Sequence, residues 1–287
     1  MCGHCGCGSE AKASITNLQT GTTSDLVEPM AEHERAHALG LPHSHDHEHG
    51  YNHDHDHDRG NHIHSPVVGL ETRILAKNDS LAAKNRAWFA GRDILALNFV
   101  SSPGAGKTAL LERTIRDLKD ELPLFVVEGD QATANDGERI RGAGAAVVQL
   151  STGTGCHLEA DMVASGLMEL KPSAGSVVLI ENVGNLVCSA MFDLGERAKV
   201  VILSVTEGEN KPLKYPHMFR AASVMLLNKI DLLPHLDFDV DATIANARAV
   251  NPDIVVLRVS ARTGEEMDAW YQWLRTEVVA ARESAFA

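Results

Sequence analysis

The run Ser101-Ser102-Pro103-Gly104-Ala105-Gly106-Lys107-Thr108 sets two glycines, a lysine and a hydroxyl between an apolar stretch and a helical pattern. Glycines let backbone N–H groups close around phosphate oxygens at the positive end of a helix. Lys107 is then placed to reach β and γ phosphates and Thr108 to offer its hydroxyl to Mg²⁺, the arrangement of a P-loop. Ser101 stands where the usual pattern has its first glycine, while Gly104, Ala105 and Gly106 keep the flexible stretch.

A second group, Asn228-Lys229-Ile230-Asp231, follows another apolar run. A carboxylate can accept two hydrogen bonds from the N1 and N2 donors of guanine, and adenine lacks that pair, so such a site discriminates strongly. Alone the tetrapeptide reads as a lysine-containing turn. Behind a P-loop, and ahead of Ser260-Ala261-Arg262, which resembles the loop that backs the base in GTPases, it reads as guanine selection. Between the two groups lie the carboxylates that could hold Mg²⁺ and steer water: Glu128, Asp130 and Asp136 after the second apolar run, and Glu181 at the end of the fourth. Mg²⁺ takes one or two carboxylates beside phosphate and water, so some of the four are bystanders. Asp136 and Glu181 are favoured for the metal, with Asp136 also open to a helix N-cap role before Gly137. Asp130 is favoured for positioning the attacking water. Glu181-Asn182-Val183-Gly184 occupies the place where many GTPases carry Asp-x-x-Gly.

Soft ligands form a third group. Cys156, His157 and Cys188 each follow an apolar run by a few residues, which puts them on the ligand-binding edge of a parallel sheet. Two thiolates and an imidazole suit Ni²⁺ or Zn²⁺, and two subunits sharing the patch would complete a site; buried structural thiols and a helix-start histidine are the alternative. Cys2, Cys5 and Cys7 crowd the first seven residues on a glycine-rich stretch, a spacing that reads as metal binding in a reducing compartment. Further on, His43, His45, His47, His49, His53, His55, His57, His62 and His64 alternate mainly with acids, asparagine and glycine. This is the pattern of a weak buffer for many ions, with protons competing below a pH of about 6.5.

The elements that must hold these groups follow from apolar patterning. Short, nearly continuous apolar runs read as buried parallel strands. Seven are expected: Ile94 to Val100, Leu124 to Val127, Ala145 to Leu150, Ser176 to Ile180, Lys199 to Val205, Ser223 to Leu227 and Ile254 to Val259. Helical patterns at Thr108 to Leu118, Leu158 to Leu170 and Gly264 to Ala281 alternate with or follow them. The expected fold is α/β, a doubly wound, mostly parallel seven-stranded sheet of the P-loop NTPase type, with ligands at the carboxyl ends of the strands. Its domain is expected over residues 92–287, behind a helical lead-in over 66–91 of one or two helices. Residues 1–65, poor in branched apolar side chains, are expected to form a disordered metal-binding tail.

The 287 residues carry a net charge of −13 with 44% hydrophobic content. That balance supports a real core and argues against a nucleic-acid surface. No stretch approaches a membrane span or a signal peptide, so the expected compartment is the cytoplasm.

Taken in order, these motifs resemble the HypB family of hydrogenase maturation GTPases. The most family-specific stretches are Val127-Glu128-Gly129-Asp130, Gly155-Cys156-His157-Leu158, Glu181-Asn182-Val183-Gly184-Asn185-Leu186-Val187-Cys188 and Thr206-Glu207-Gly208-Glu209-Asn210-Lys211. The resemblance implies a GTP-hydrolysing, nucleotide-dependent homodimer that binds GTP or GDP, Mg²⁺, Ni²⁺ and, at one site, Zn²⁺. It implies delivery of Ni²⁺ to the [NiFe]-hydrogenase large subunit together with the accessory protein HypA. It further implies that Cys2, Cys5 and Cys7 are the tight nickel site and that Cys156, His157 and Cys188 are the weaker one. A lysine is expected to reach the partner subunit's nucleotide, Lys214 being favoured over Lys211. A nickel store with a vestigial GTPase, and a GTPase serving another nickel enzyme such as urease, are the competing functions.

Overall fold

A computed structural model of the chain describes residues 13–26, 66–130, 135–153 and 155–283. They fall into two units, one holding residues 13–26 and the described residues from 75 on, the other holding residues 66–74. The second is described only where helix α1 (Pro66–Ala90) begins.

The first unit is built on a sheet that has nine strands among the described residues. Seven are parallel: β3 (Leu95–Ser101), β4 (Leu124–Asp130), β5 (Ala146–Ser151), β6 (Val177–Glu181), β7 (Ala198–Ser204), β8 (Val224–Asn228) and β9 (Val255–Val259). These answer the seven expected runs. Every residue of β3, β6, β7 and β8 is buried, the result of helices covering both faces. The expectation of seven strands is corrected by a hairpin, β1 (Ser14–Asn17) and β2 (Thr22–Asp25), inside the stretch read as tail. Strand β1 pairs antiparallel with β5, Ser14 opposite Ser151 and Asn17 opposite Val148. The hairpin is polar and short, with only Ile15, Asn17 and Leu18 buried. It owes its order to docking on the open edge of β5 rather than to its own pattern.

The strand order is β2-β1-β5-β4-β6-β3-β7-β8-β9. From β3 the chain winds outward to β4 and β5, returns to β6, and then crosses to β7. The crevice at the end of β3 is therefore the switch point where such sheets bind ligands. Helices α2 (Lys107–Leu118) and α9 (Met267–Glu283) cover one face through Leu110, Leu111, Ile115, Trp270 and Leu274. Trp270 meets Phe99 edge-on at 5.9 Å, and its Nε1 donates to Thr114 Oγ1 at 3.0 Å. On the other face, Phe89 of α1 packs with Val163 and Leu167 of α4 (Ala160–Leu170). Shorter elements complete the fold: α3 (Asn135–Ala143), α5 (Cys188–Met191), α6 (Lys211–Lys214), α7 (Pro216–Ala221) and α8 (Val240–Val250). The lead-in is a single helix.

Candidate nucleotide and metal site

Strand β3 ends at Ser101 and α2 begins at Lys107, so the glycine-rich run is the turn between them. Gly106 has φ +97°, and a Cβ there would lie 2.6 Å from Asn228 Nδ2. Only glycine fits both constraints. Ser101, the departure from the usual pattern, accepts a 3.1 Å hydrogen bond from Lys107 Nζ. Its hydroxyl holds the ammonium at the mouth of the loop.

Thr108 Oγ1 donates to Glu181 Oε1 at 2.8 Å, while Glu181 Oε2 is buried without a hydrogen-bond partner. Burial pushes the Glu181 carboxyl up to about 7 against the opposing pull of the Lys107 ammonium and the Thr108 hydroxyl. Glu128 lies directly opposite Glu181 in the β4–β6 register. Its Oε2 is likewise buried and unpartnered. Burial, reinforced by the charges of Glu181 and Asp130, pushes Glu128 up to about 9, although a hydrogen bond from Gln149 opposes this. Asp136 stands within the first turn of α3 rather than at its N-cap, ion-paired with Arg139 at 3.1 Å, and its charge acts on both glutamates. Asp130 closes β4. A hydroxyl, a buried carboxylate oxygen lacking a donor and a nearby aspartate form an all-oxygen set that fits Mg²⁺.

At the next strand ends, Asn228 Nδ2 donates to Ala105 O at 3.0 Å and Asn228 Oδ1 accepts from Ala261 N at 3.2 Å. This side chain staples the phosphate loop to the loop carrying Ser260, Ala261 and Arg262. Lys229, at φ 65°, donates from Nζ to Gly104 O at 2.7 Å. Asp231 Oδ1 accepts from Ser260 Oγ at 2.6 Å, which fixes the carboxylate, and Arg262 is exposed.

The structure brings Cys156, His157 and Cys188 together. Their ligand atoms all lie within 4.8 Å of one another, with Cys156 Sγ donating to Cys188 Sγ at 3.0 Å. Cys188 opens α5, its backbone N–H donating to Asn185 Oδ1 at 3.1 Å. The His157 ring lies 3.9 Å from that of Phe192. Lys214 is exposed on a pocket of about 280 Å³ that Glu207, Lys211 and Tyr215 also line. Lys211 is engaged there by Glu207 at 2.9 Å. Cys2, Cys5, Cys7 and the histidines from His43 to His64 lie outside the described residues.

Residues 95–258 match the family model of the CobW/HypB/UreG nucleotide-binding domain. Hydrogenase maturation factor HypB of Rhizobium leguminosarum bv. viciae is 61% identical over 218 residues, covering 76% of this chain and 72% of that protein. The chain belongs to the HypB family of hydrogenase maturation factors. Solved HypB structures share its fold. That from Archaeoglobus fulgidus aligns with TM-score 0.66 and 37% identity over 71% of this chain and 99% of that one. That from Helicobacter pylori, in complex with nickel, aligns with TM-score 0.66 and 35% identity over 71% and 96%.

Of the four acids singled out in the sequence of this HypB chain, Glu128 alone had no favoured role, whereas the register makes it the neighbour of Glu181. Sequence reasoning also passed over Asn182, whose Oδ1 accepts from Leu158 N at 3.2 Å and Val183 N at 3.0 Å. That amide ties the segment after Cys156 and His157 to the one after Glu181. Its place directly after an apolar run, inside a family-specific stretch, was the signal that could have found it.

Proposed function

We propose that this chain is a GTP-hydrolysing nickel chaperone that loads Ni²⁺ into a [NiFe]-hydrogenase large subunit in the cytoplasm. The observation that carries the reading is one eight-residue segment, Glu181–Cys188. One end touches Thr108 of the phosphate loop and the other touches Cys156. Midway, Gly184 lies against Pro103, where a Cβ would meet the ring and backbone at 3.2 Å. A shift of the phosphate loop therefore has a short covalent path to a metal ligand.

In this reading, Gly104, Ala105 and Gly106 present N–H groups to the phosphates, and Lys107 leaves Ser101 for the γ phosphate. Its charge there stabilises the transferring phosphoryl group. Thr108, Glu181 and Asp136 would hold Mg²⁺, which would supply positive charge to the phosphate oxygens. Asp130 orients the attacking water. Asp231 reads guanine while Asn228, Lys229, Ser260, Ala261 and Arg262 shape the base pocket. The exposed Lys214, with Lys211 already engaged, suits a role on the nucleotide of a second subunit in a nucleotide-dependent homodimer. Cys2, Cys5 and Cys7 hold the tight nickel ion, the histidines buffer weaker ones, and HypA and the hydrogenase precursor are the partners. The cluster of Cys156, His157 and Cys188 takes Ni²⁺ or Zn²⁺.

Linkage makes the proposal testable: nickel affinity of the cluster must differ between GDP and GTP states, typically by about 1–3 kcal/mol. Ni²⁺ titration of the full chain carrying Cys2→Ala, Cys5→Ala and Cys7→Ala, with GDP or a non-hydrolysable GTP analogue, measures it. Equal cluster affinities would reject nucleotide gating, and a nickel store beside an independent GTPase would be the better description.

A further inference from the structure

Helix α1 carries two buried amides on one side, Asn78 and Asn85, exposed to 3% and 6%. Asn78 Nδ2 donates to Asp193 O at 2.7 Å, and its Oδ1 accepts from Ala160 N at 2.9 Å. Asn85 Nδ2 donates to Ala160 O at 2.7 Å and to Leu194 O at 3.0 Å. Each side chain thus spans the same two segments. One runs from Cys156 and His157 into α4, and the other runs from Cys188 through α5 to Leu194. Between the amides, Gly195 at φ +89° approaches so closely that a Cβ would lie 2.6 Å from Ala82 O. The ion pair of Arg86 with Asp193, at 2.6 Å, closes the solvent side.

An apolar helix face would bury this contact without desolvating two amides. What the amides add is direction, since every one of their four bonds ends on the backbone of a segment that carries a metal ligand. We propose that Asn78 and Asn85 are positioning residues that hold the Cys156 and Cys188 thiols close together and thereby favour Ni²⁺ over Zn²⁺ in the cluster. This rests on the reading of Cys156, His157 and Cys188 as a metal site.

The separation of the sulfurs gives the reason. At metal–sulfur bonds of about 2.3 Å, two thiolates lie about 3.8 Å apart around a tetrahedral ion and about 3.3 Å apart in adjacent square-planar positions. The braced thiols stand 3.0 Å apart. Square-planar Ni²⁺ asks the two segments to part only slightly, whereas tetrahedral Zn²⁺ asks them to stretch the four hydrogen bonds of the amides further. Loosening the brace costs both ions the preorganised thiol pair, but for Zn²⁺ the relief of that larger stretch offsets much of the loss, and the preference goes with it.

The test uses the full chain with Cys2, Cys5 and Cys7 replaced by alanine, so that Cys156 and Cys188 are its only thiols. Ni²⁺ and Zn²⁺ are titrated separately against a competing chelator, with thiolate-to-nickel charge-transfer absorption reporting the cluster rather than the histidines. Asn78→Ser and Asn85→Ser, each too short to span both segments, are expected to weaken Ni²⁺ by about tenfold or more. The Zn²⁺ affinity should fall much less, so the ratio of the two collapses, while GDP affinity at the phosphate loop stays unchanged. An unchanged ratio overturns the inference, whatever the variants' melting temperatures. If a serine variant does not fold, Asn78→Asp keeps the size and the bond from Ala160 while losing the donor to Asp193, and is read for the same collapse. Absence of any thiolate band in the parent chain would instead overturn the reading of the cluster, and the inference with it.

Discussion

Replacing Glu128 by glutamine should stabilise the metal-free, nucleotide-free protein, and by an amount that grows with pH. Glu128 is 2% exposed, has a buried oxygen without a partner, and is pushed up to about 9 from an ordinary 4.5. Over that interval the folded chain holds a proton that the unfolded chain has released, so stability falls as pH rises from 4.5 towards 9. At pH 7 the interval already spent is 2.5 units, which corresponds to about 3 kcal/mol at about 1.4 kcal/mol per unit. Glutamine mimics the neutral carboxyl, still accepts from Gln149, and carries no such cost. For a domain of this size about 3 kcal/mol amounts to roughly 6–12 °C in melting temperature. Thermal unfolding of both proteins in chelator at pH 5, 6, 7 and 8 measures the gap, with under about 1 kcal/mol expected at pH 5. Glu181 titrates in both proteins, so the difference isolates Glu128. A gap that is constant with pH, or that shrinks as pH rises, would refute the assignment of a neutral buried acid.

Gly106→Ala should weaken GDP by at least about tenfold, because left-handed strain and the 2.6 Å approach to Asn228 Nδ2 act on the loop that cradles phosphate; undiminished binding of a fluorescent GDP would contradict this. Asp231→Asn should cost about a hundredfold or more in preference for GTP over ATP, since one acceptor of the guanine donors becomes a donor. Competition titrations give that ratio, and an unaltered one would remove Asp231 from the base site. Leu18→Ala should destabilise by about 2–4 kcal/mol, because Leu18 is buried and fills the space beside Gly137, where a Cβ would meet its Cδ1 at 2.5 Å. Hydrogen exchange should then quicken in β1 and at the start of α3, and protection equal to the parent's would show that the hairpin is not anchored through this residue.

How far the fold and site were legible follows from what is local. The phosphate loop was readable because strand, turn and helix are contiguous, and the parallel strands because burial on both faces leaves unbroken apolar runs such as Val177, Val178, Leu179 and Ile180. The hairpin was not, since Ser14–Asn17 acquires its order from the β5 edge far along the chain. The same limit hid the pairing of Glu128 with Glu181, a register fact. Strand ends placed Cys156 and Cys188 on one edge, but only the return of the chain from β5 to β6 brings them within contact. Asn78 and Asn85 sit in a helix of mixed pattern, where polar residues give no sign of lying inward.

The direction of β1 sets the starting point for everything before it. Because β1 runs against β5, the chain preceding Ser14 leaves the sheet just past Ser151, at the carboxyl edge, with Ala13 O still accepting from Leu26 N at 3.0 Å. Cys156 lies five residues beyond Ser151, across a turn in which Gly155 N donates to Thr152 O at 2.9 Å. The hairpin is in effect a cap: it makes β5 an inner strand and leaves β2, exposed along its whole length, as the border of the sheet on this side. A short polar border strand of this kind gives another chain's strand little to pair with, so the long apolar β5 is kept from acting as an aggregation template.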